Sequence, residues 1–203
     1  MNLTQAEQQK ISAAIVKAEA RTSGEIVCVL ARSSSDYAAL PLLWASFAGL
    51  LTPWLLIALT QLSVQRILLV QALVFGILLL FLSWPSWRAK LAPPAMRRAH
   101  AHRAAMEQFM IRGLSGTQHR TGVLIFVSLA EHYVRVVADE GVNAKVDQRD
   151  WQDTVDAMLV HLRNDRIADG FVVAIERCGA MLEQHFPAQA NDRPELPDRI
   201  YLI

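Results

Sequence analysis

Four acidic residues crowd the stretch that follows a β-rich run: Asp139, Glu140, Asp147 and Asp150. The connection after a strand is where α/β sites tend to form. Converging there on a divalent cation, these carboxylates would polarise a bound phosphate and activate water, the chemistry of a metal-dependent hydrolase. The same four also read as a solvated turn and the amino end of a helix, where negative charge is favourable. Other reactive side chains group less well. His100 and His102 stand two apart on an expected helix and so point to different faces. His119, His132, His161 and His185 are scattered. Cys28 and Cys178 fall in apolar runs and read as buried thiols of a reducing compartment, not a disulfide. No Cys-x-x-Cys, Gly-x-Ser-x-Gly or glycine-rich phosphate loop is present, and Gly113 to Gly116 is short and lacks a following lysine.

The elements that must position these residues are divided by two greasy runs. Of the 203 residues 53% are hydrophobic and only 19% charged, against about 25% charged in an ordinary soluble domain. The net charge of +1 argues against a generic nucleic-acid binder. No Asp, Glu, Lys or Arg lies between Asp36 and Arg66, nor between Arg66 and Arg88. Ile67 to Trp87 holds 21 residues, a helix of about 31 Å, which matches the hydrocarbon core of a bilayer. Pro41 to Leu62 is a similar run. Its Pro53 would cost about 3 kcal/mol inside a soluble helix but is tolerated in a membrane helix with satisfying neighbours. Trp84 and Trp87 read as an interfacial belt. Trp54 lies too deep for one and is expected to pack on the partner helix. Gly49 and Gly76 offer close approach between the helices.

This reading gives a transmembrane hairpin at 37–90, with helices at about 41–62 and 67–87. The apolar stretch follows an amphipathic segment rather than a cleavable start, so no signal peptide is expected. Only Arg66 marks the short connection, whereas Arg88, Lys90, Arg97, Arg98 and Arg103 follow the second helix. The positive-inside rule then places both ends of the hairpin, and so both termini, in the cytoplasm and the short loop outside. The same basic residues would also attract anionic lipid heads.

Outside the hairpin the chain reads as one interrupted globule: a first part at 1–36, a second at 91–186, and an extended arm at 187–203. Thr4 to Glu7 is a capping box opening a helix with Ile11, Ala14, Ile15 and Ala18 on one face. Glu25 to Ala31 is a strand apolar enough to be buried on both faces. Pro94 to Arg112 reads as a helix with Met106, Phe109 and Met110 on one side. Thr121–Ser128 and His132–Ala138 pair as a hairpin with Arg135 facing water, and Asp139-Glu140-Gly141 ends the second strand. Helices follow with stripes Trp151, Val155, Met158, Leu159, Leu162 and then Ile167, Phe171, Ala174, Ile175, Cys178, Leu182. The last residues, Ile200 to Ile203, are too apolar to be merely solvated and should dock as an added strand or on the membrane.

Several of these segments carry a family likeness. Arg21-Thr-Ser-Gly-Glu-Ile-Val-Cys-Val-Leu30, Thr121-Gly-Val-Leu-Ile-Phe-Val127, Tyr133-Val-Arg-Val-Val137 and Arg166-Ile-Ala-Asp-Gly170 resemble, in order, motifs of the TPM domain. The likeness covers about residues 4–31 and 104–186 and is nearest to bacterial membrane proteins in which a transmembrane hairpin splits the domain. It implies an α/β fold, an αβα sandwich with a small mixed sheet and helices on both faces. Family members are membrane-tethered or lumenal. Thylakoid members are linked to photosystem repair and have been called acid phosphatases, an animal member is a receptor accessory protein, and some bind a calcium-like cation in an acidic pocket. The chain departs from the pattern at His119-Arg120-Thr121, where acidic or Asn residues are usual, and at Asp139-Glu140-Gly141, where Gly-Tyr-Gly is usual. Arg120 puts a positive charge where a cation would sit. The resemblance therefore points to a membrane protein with a binding or accessory role toward another membrane or envelope protein. Two alternatives stay open: a divalent-metal-dependent phosphatase, and a structural element on an anionic lipid surface.

Overall fold

A computed structural model describes residues 3–35, 37, 39–84, 91–117, 119–189 and 195–203. It is a mixed α/β structure of two compact units, Ser35–His100 and the remainder, Met1–Ser34 with Ala101–Ile203.

In the larger unit, α1 (Gln5–Glu19) opens on the expected capping box. The Thr4 hydroxyl accepts from the Glu7 amide, and Glu7 accepts from the Thr4 amide at 2.8 Å. Strand β1 (Glu25–Ala31) is buried at every position. It pairs in parallel with β2 (Gly122–Ser128), which turns back into antiparallel β3 (Tyr133–Ala138). The chain's last element, β4 (Ile200–Leu202), lies parallel to β1 on its other side, so the sheet order is β3-β2-β1-β4. β1 lacks apolar alternation because a core packs on each of its faces. Ile26, Cys28 and Leu30 join one core with Ile11 and Ile15 of α1, Met158 of α6 (Gln148–Leu162) and Phe171 of α7 (Ile167–His185). Val27, Val29 and Ala31 join a second core with Leu114, Phe126 and the end of α4 (Pro94–Ile111). The unit is thus the expected three-layer αβα arrangement.

One local expectation is corrected and two are refined. The buried face of α4 is Ala101, Ala105 and Phe109, while Met106 and Met110 are exposed. The small alanines let the helix sit close to its neighbours, which leaves the long methionines no room on that side. Asp139 to Gly141 does not merely end a strand, because Asp139 caps a one-turn helix, α5 (Glu140–Asn143). Arg135 is only half exposed and donates to the Tyr133 hydroxyl at 3.4 Å.

In the smaller unit, α2 (Ala39–Leu59) and α3 (Val64–Leu82) form an antiparallel pair, both long and apolar enough to cross a membrane. Gly49 does allow close approach, its missing Cβ lying 3.5 Å from Phe75 Cβ, but Gly76 faces nothing within 4 Å. Trp54 does not pack on the partner helix: it is 75% exposed, on the outer side of α2. Pro53 sits inside α2, where its ring deprives the helix of one amide. Trp84 is exposed, and Trp87 lies outside the described residues.

Candidate functional site

The antiparallel hairpin explains where the acidic residues fall. Register pairs Val123 with Ala138, and the ladder continues through the Asp139 amide to the Gly122 carbonyl at 2.9 Å. Carried further, it brings residue 120 against residue 141. A Cβ on Gly141 would lie 2.7 Å from the Arg120 carbonyl oxygen, so this position needs glycine. Arg120, held at φ 52°, then reaches Glu140, with Nη1 2.6 Å from Oε2.

The other carboxylates serve helix ends. Asp139 Oδ1 accepts from the Glu140 amide at 2.7 Å, while its Oδ2 is buried without a hydrogen-bond partner. Asp147 caps α6 by accepting from the Arg149 amide at 3.1 Å, and Asp150 lies in the first turn of α6. A calcium-like ion needs six to eight oxygens. Among the described residues no three His, Cys, Asp or Glu side chains gather for a metal, so the orphaned Asp139 oxygen stands without a set of co-ligands. Among the described residues this arrangement supplies too few converging oxygens to fit a hard divalent cation.

The basic residues meant for topology are divided. Arg97, Arg98 and Arg103 lie on α4, with Arg98 and Arg103 exposed and Arg97 half buried. Arg88 and Lys90 lie outside the described residues.

Two concavities of the larger unit were not anticipated. One, of about 320 Å³, is lined by four carboxylates, Glu19, Glu25, Glu195 and Asp198. Glu25 holds the carboxy-terminal arm by accepting from the amides of Glu195 at 2.9 Å and Leu196 at 3.3 Å. Burial pushes the Glu25 carboxyl upward against those hydrogen bonds. Burial likewise raises Glu19 to about 9, opposed by the Ile26 amide and aided by a hydrogen bond with the Asp198 carboxyl. The arm is fastened again beyond this point. The guanidinium groups of Arg112 and Arg199 both lie over the Tyr201 ring, 3.8 Å and 4.9 Å from its centre. A charged residue heading an otherwise apolar strand was the available signal for Glu25. Its partners come from the far end of the chain, which spacing does not reveal.

The second concavity, about 970 Å³, opens at the carboxyl ends of β1 and β2. It is lined by the turn between β2 and β3 and by the junction of α6 and α7. Cys28 and Cys178 are free, fully buried thiols within the core; burial raises both, Cys178 to about 12.

Comparison with known proteins agrees with this architecture. Residues 95–181 match the TPM domain family. The chain carries a TPM domain. The match takes in α4, both strands of the hairpin and most of α7. Among solved structures, the BA42 protein of the psychrophilic bacterium Bizionia argentinensis, determined by NMR, is similar with a TM-score of 0.63. The two are 21% identical, over 100% of this chain and 97% of that one, a likeness of fold alone. No curated protein matches the chain.

Proposed function

We propose that this is an integral protein of the bacterial inner membrane, anchored by α2 and α3, that presents its TPM domain to the cytoplasm as a binding or accessory partner for another membrane or envelope protein. The observation that carries the reading is exposure. Only 11% of the most apolar window of α2 and 6% of that of α3 are buried. Leu43, Leu50, Ile57 and Leu59 on α2, and Leu69, Leu73, Ile77 and Leu80 on α3, are all at least 60% exposed. Full burial of such a side chain is favourable by about 1.5–3 kcal/mol, so the outer faces of the pair favour lipid over water by tens of kcal/mol. A core helix of a soluble domain would instead be covered. Backbone satisfaction also suits lipid, where each helix must meet its own polar groups. The Thr52 and Thr60 hydroxyls turn inward to the carbonyls of Ala48 and Leu56.

The orientation rests on Arg66 alone in the short connection against Arg88, Lys90, Arg97, Arg98 and Arg103 after the second apolar run. The accessory role is favoured over hydrolysis because Asp139 and Asp147 cap helices, Glu140 pairs with Arg120, and Asp150 sits in the first turn of α6. Three measurements test the reading. Full-length chain should stay with membranes through an alkaline carbonate wash, and a reporter fused after Ile203 should be active only in the cytoplasm. Release into the wash would sink the anchor; reporter activity on the outer side would reverse the orientation. Divalent-cation-dependent phosphate release that is lost in both Asp139→Ala and Asp147→Ala would replace the accessory role with catalysis.

A further inference from the structure

β3 ends the sheet, and its outer edge carries no further strand. The Asp139 amide donates to the Gly122 carbonyl at 2.9 Å. Antiparallel pairs alternate, so the backbone groups of Tyr133, Arg135 and Val137 turn toward β2 and those of Val134, Val136 and Ala138 turn outward. The Ala138 carbonyl is taken by the Asn143 side-chain amide at 2.7 Å, which closes the edge at that end. Val134 and Val136 are left to offer their N–H and C=O groups at strand spacing. The devices that usually blunt an edge are missing from Tyr133–Ala138, which has no proline, no lysine and no bulge in its register. α6 packs on β3, whereas α7 packs on β1 and β2, so α6 is the outermost helix on that face of the sheet. Leu159 and Leu162 of α6 line the large cleft with Tyr133 and Val134 of β3. All four are only half buried, so an apolar shelf lies beside the edge.

We propose that an extended segment of the partner protein adds to β3 as a further strand, with apolar side chains at every second position. Its backbone would pair with Val134 and Val136, and its alternate side chains would cover Leu159 and Leu162. An added strand draws affinity from main-chain hydrogen bonds and selectivity from the pockets that its alternate side chains fill. Extended backbone is the occupant that meets N–H and C=O groups together at this spacing. A helix bonds its own backbone, and a lipid tail has neither donors nor acceptors. A second copy of the chain fits poorly. Its β3 would bring its own α6, and neighbouring strands lie about 4.8 Å apart where two packed helices need about 8–10 Å. A bare strand avoids that clash. The inference rests on the TPM domain being a binding module and names the form of what it binds. All of these residues belong to the larger unit, so it stands independently of whether α2 and α3 cross a bilayer.

The test selects binders from a displayed library of random heptapeptides on full-length chain in phosphatidylcholine nanodiscs. Selected peptides should carry apolar residues at alternate positions. Binding should slow amide exchange at Val134 and Val136 and leave it unchanged at Arg135 and Val137, which already pair with β2. N-methylation of the peptide should weaken binding about fivefold or more at every second residue and little in between, since one set of amides meets β3. Val136→Pro deletes an outward amide without removing a ladder bond and should lower affinity by at least as much. Leu159→Asp should lower it about tenfold through the shelf. Failure to select any peptide, protection spread evenly along β3, N-methyl effects without a period of two, or affinity unchanged in both variants would each overturn the proposal. A doubled mass of the chain in detergent, lost in Val136→Pro, would give the edge to a second copy instead. These failures leave the accessory role standing, since that role falls to cation-dependent phosphate release.

Discussion

Replacing Glu19 with glutamine should make the larger unit more stable at neutral pH and flatten its pH dependence. The Glu19 carboxyl is raised from 4.5 to about 9, chiefly by burial and further by the hydrogen bond with Asp198. The folded chain therefore holds a proton here that the unfolded chain releases above pH 4.5. The sign follows directly: stability from this group is complete below about pH 4.5 and is lost progressively as pH rises toward 9. Between 4.5 and pH 7 the difference accumulates to about 3 kcal/mol, at about 1.4 kcal/mol per unit. Glu19 is only partly buried, and relaxation around it lowers the realised figure to about 1–3 kcal/mol.

Glutamine mimics the protonated acid. Its carbonyl can still accept from the Ile26 amide, which lies 2.7 Å from Glu19 Oε1, and its amide can donate to Asp198. Glu19→Gln should leave stability near pH 4.5 unchanged and raise it by about 1–3 kcal/mol at pH 7. Some decline with pH should remain, because Glu25 is shifted in the same direction. The assay is urea unfolding of full-length chain in a mild detergent across pH 4.5–8.5, read by amide exchange in β1 peptides. An unaltered pH slope, or a variant less stable than the parent at pH 7, would refute the reasoning.

Three further outcomes are expected. Gly141→Ala drives a Cβ to within 2.7 Å of the Arg120 carbonyl oxygen and should cost about 1–3 kcal/mol, seen as a lower urea midpoint with unchanged slope. Tyr201→Ala removes the ring that Arg112 and Arg199 contact and should speed exchange of the Ile203 amide, which bonds to the Leu30 carbonyl at 3.0 Å, while leaving the exchange of β2 unchanged. Cys28 and Cys178, both fully buried with raised pKa values, should resist maleimide in the native chain at neutral pH and react only with unfolding; prompt labelling of either would contradict the core described above.

Much of the fold is legible wherever one face of an element decides its place. The α7 stripe of Ile167, Phe171, Ala174, Ile175, Cys178 and Leu182 is buried as its spacing implies, and β1 is covered on both sides as its unbroken apolarity requires. Legibility fails where one pattern serves two arrangements. An apolar stripe of methionines on α4 looks like a core face, yet alanines at 101 and 105 win the contact because they allow closer packing. Trp54 shows a different limit: in a helix apolar all round, no periodicity says which side meets the partner, and the outer side is what it occupies. The basic and apolar groups of the large cleft escape notice for a topological reason. Arg32, His132 and Arg163 meet only because β1 lies beside β2 and the α6–α7 turn returns over their ends.

The acidic residues present the same ambiguity in its sharpest form. An aspartate just before a helix is a good cap and an equally good metal ligand, so residue type and spacing along 139–150 do not separate the two. What separates them is convergence, and here the hairpin register decides it. Pairing Val123 with Ala138 commits the backbone of residue 120 to lie on residue 141, whatever the side chains are. With glycine at 141 the strands can close, and with arginine at 120 the nearest cation to Glu140 is one the chain supplies itself. Both partners of that pair are well exposed, with 61% and 82% of their side-chain surface accessible, so it contributes at most about 1 kcal/mol. Its consequence is local charge rather than stability. Removing Arg120 alone would release Glu140, but Asp139 Oδ1 and Asp147 would still be bound to the amides that start α5 and α6. A divalent-ion site would therefore need both the loss of Arg120 and new oxygen ligands from another segment.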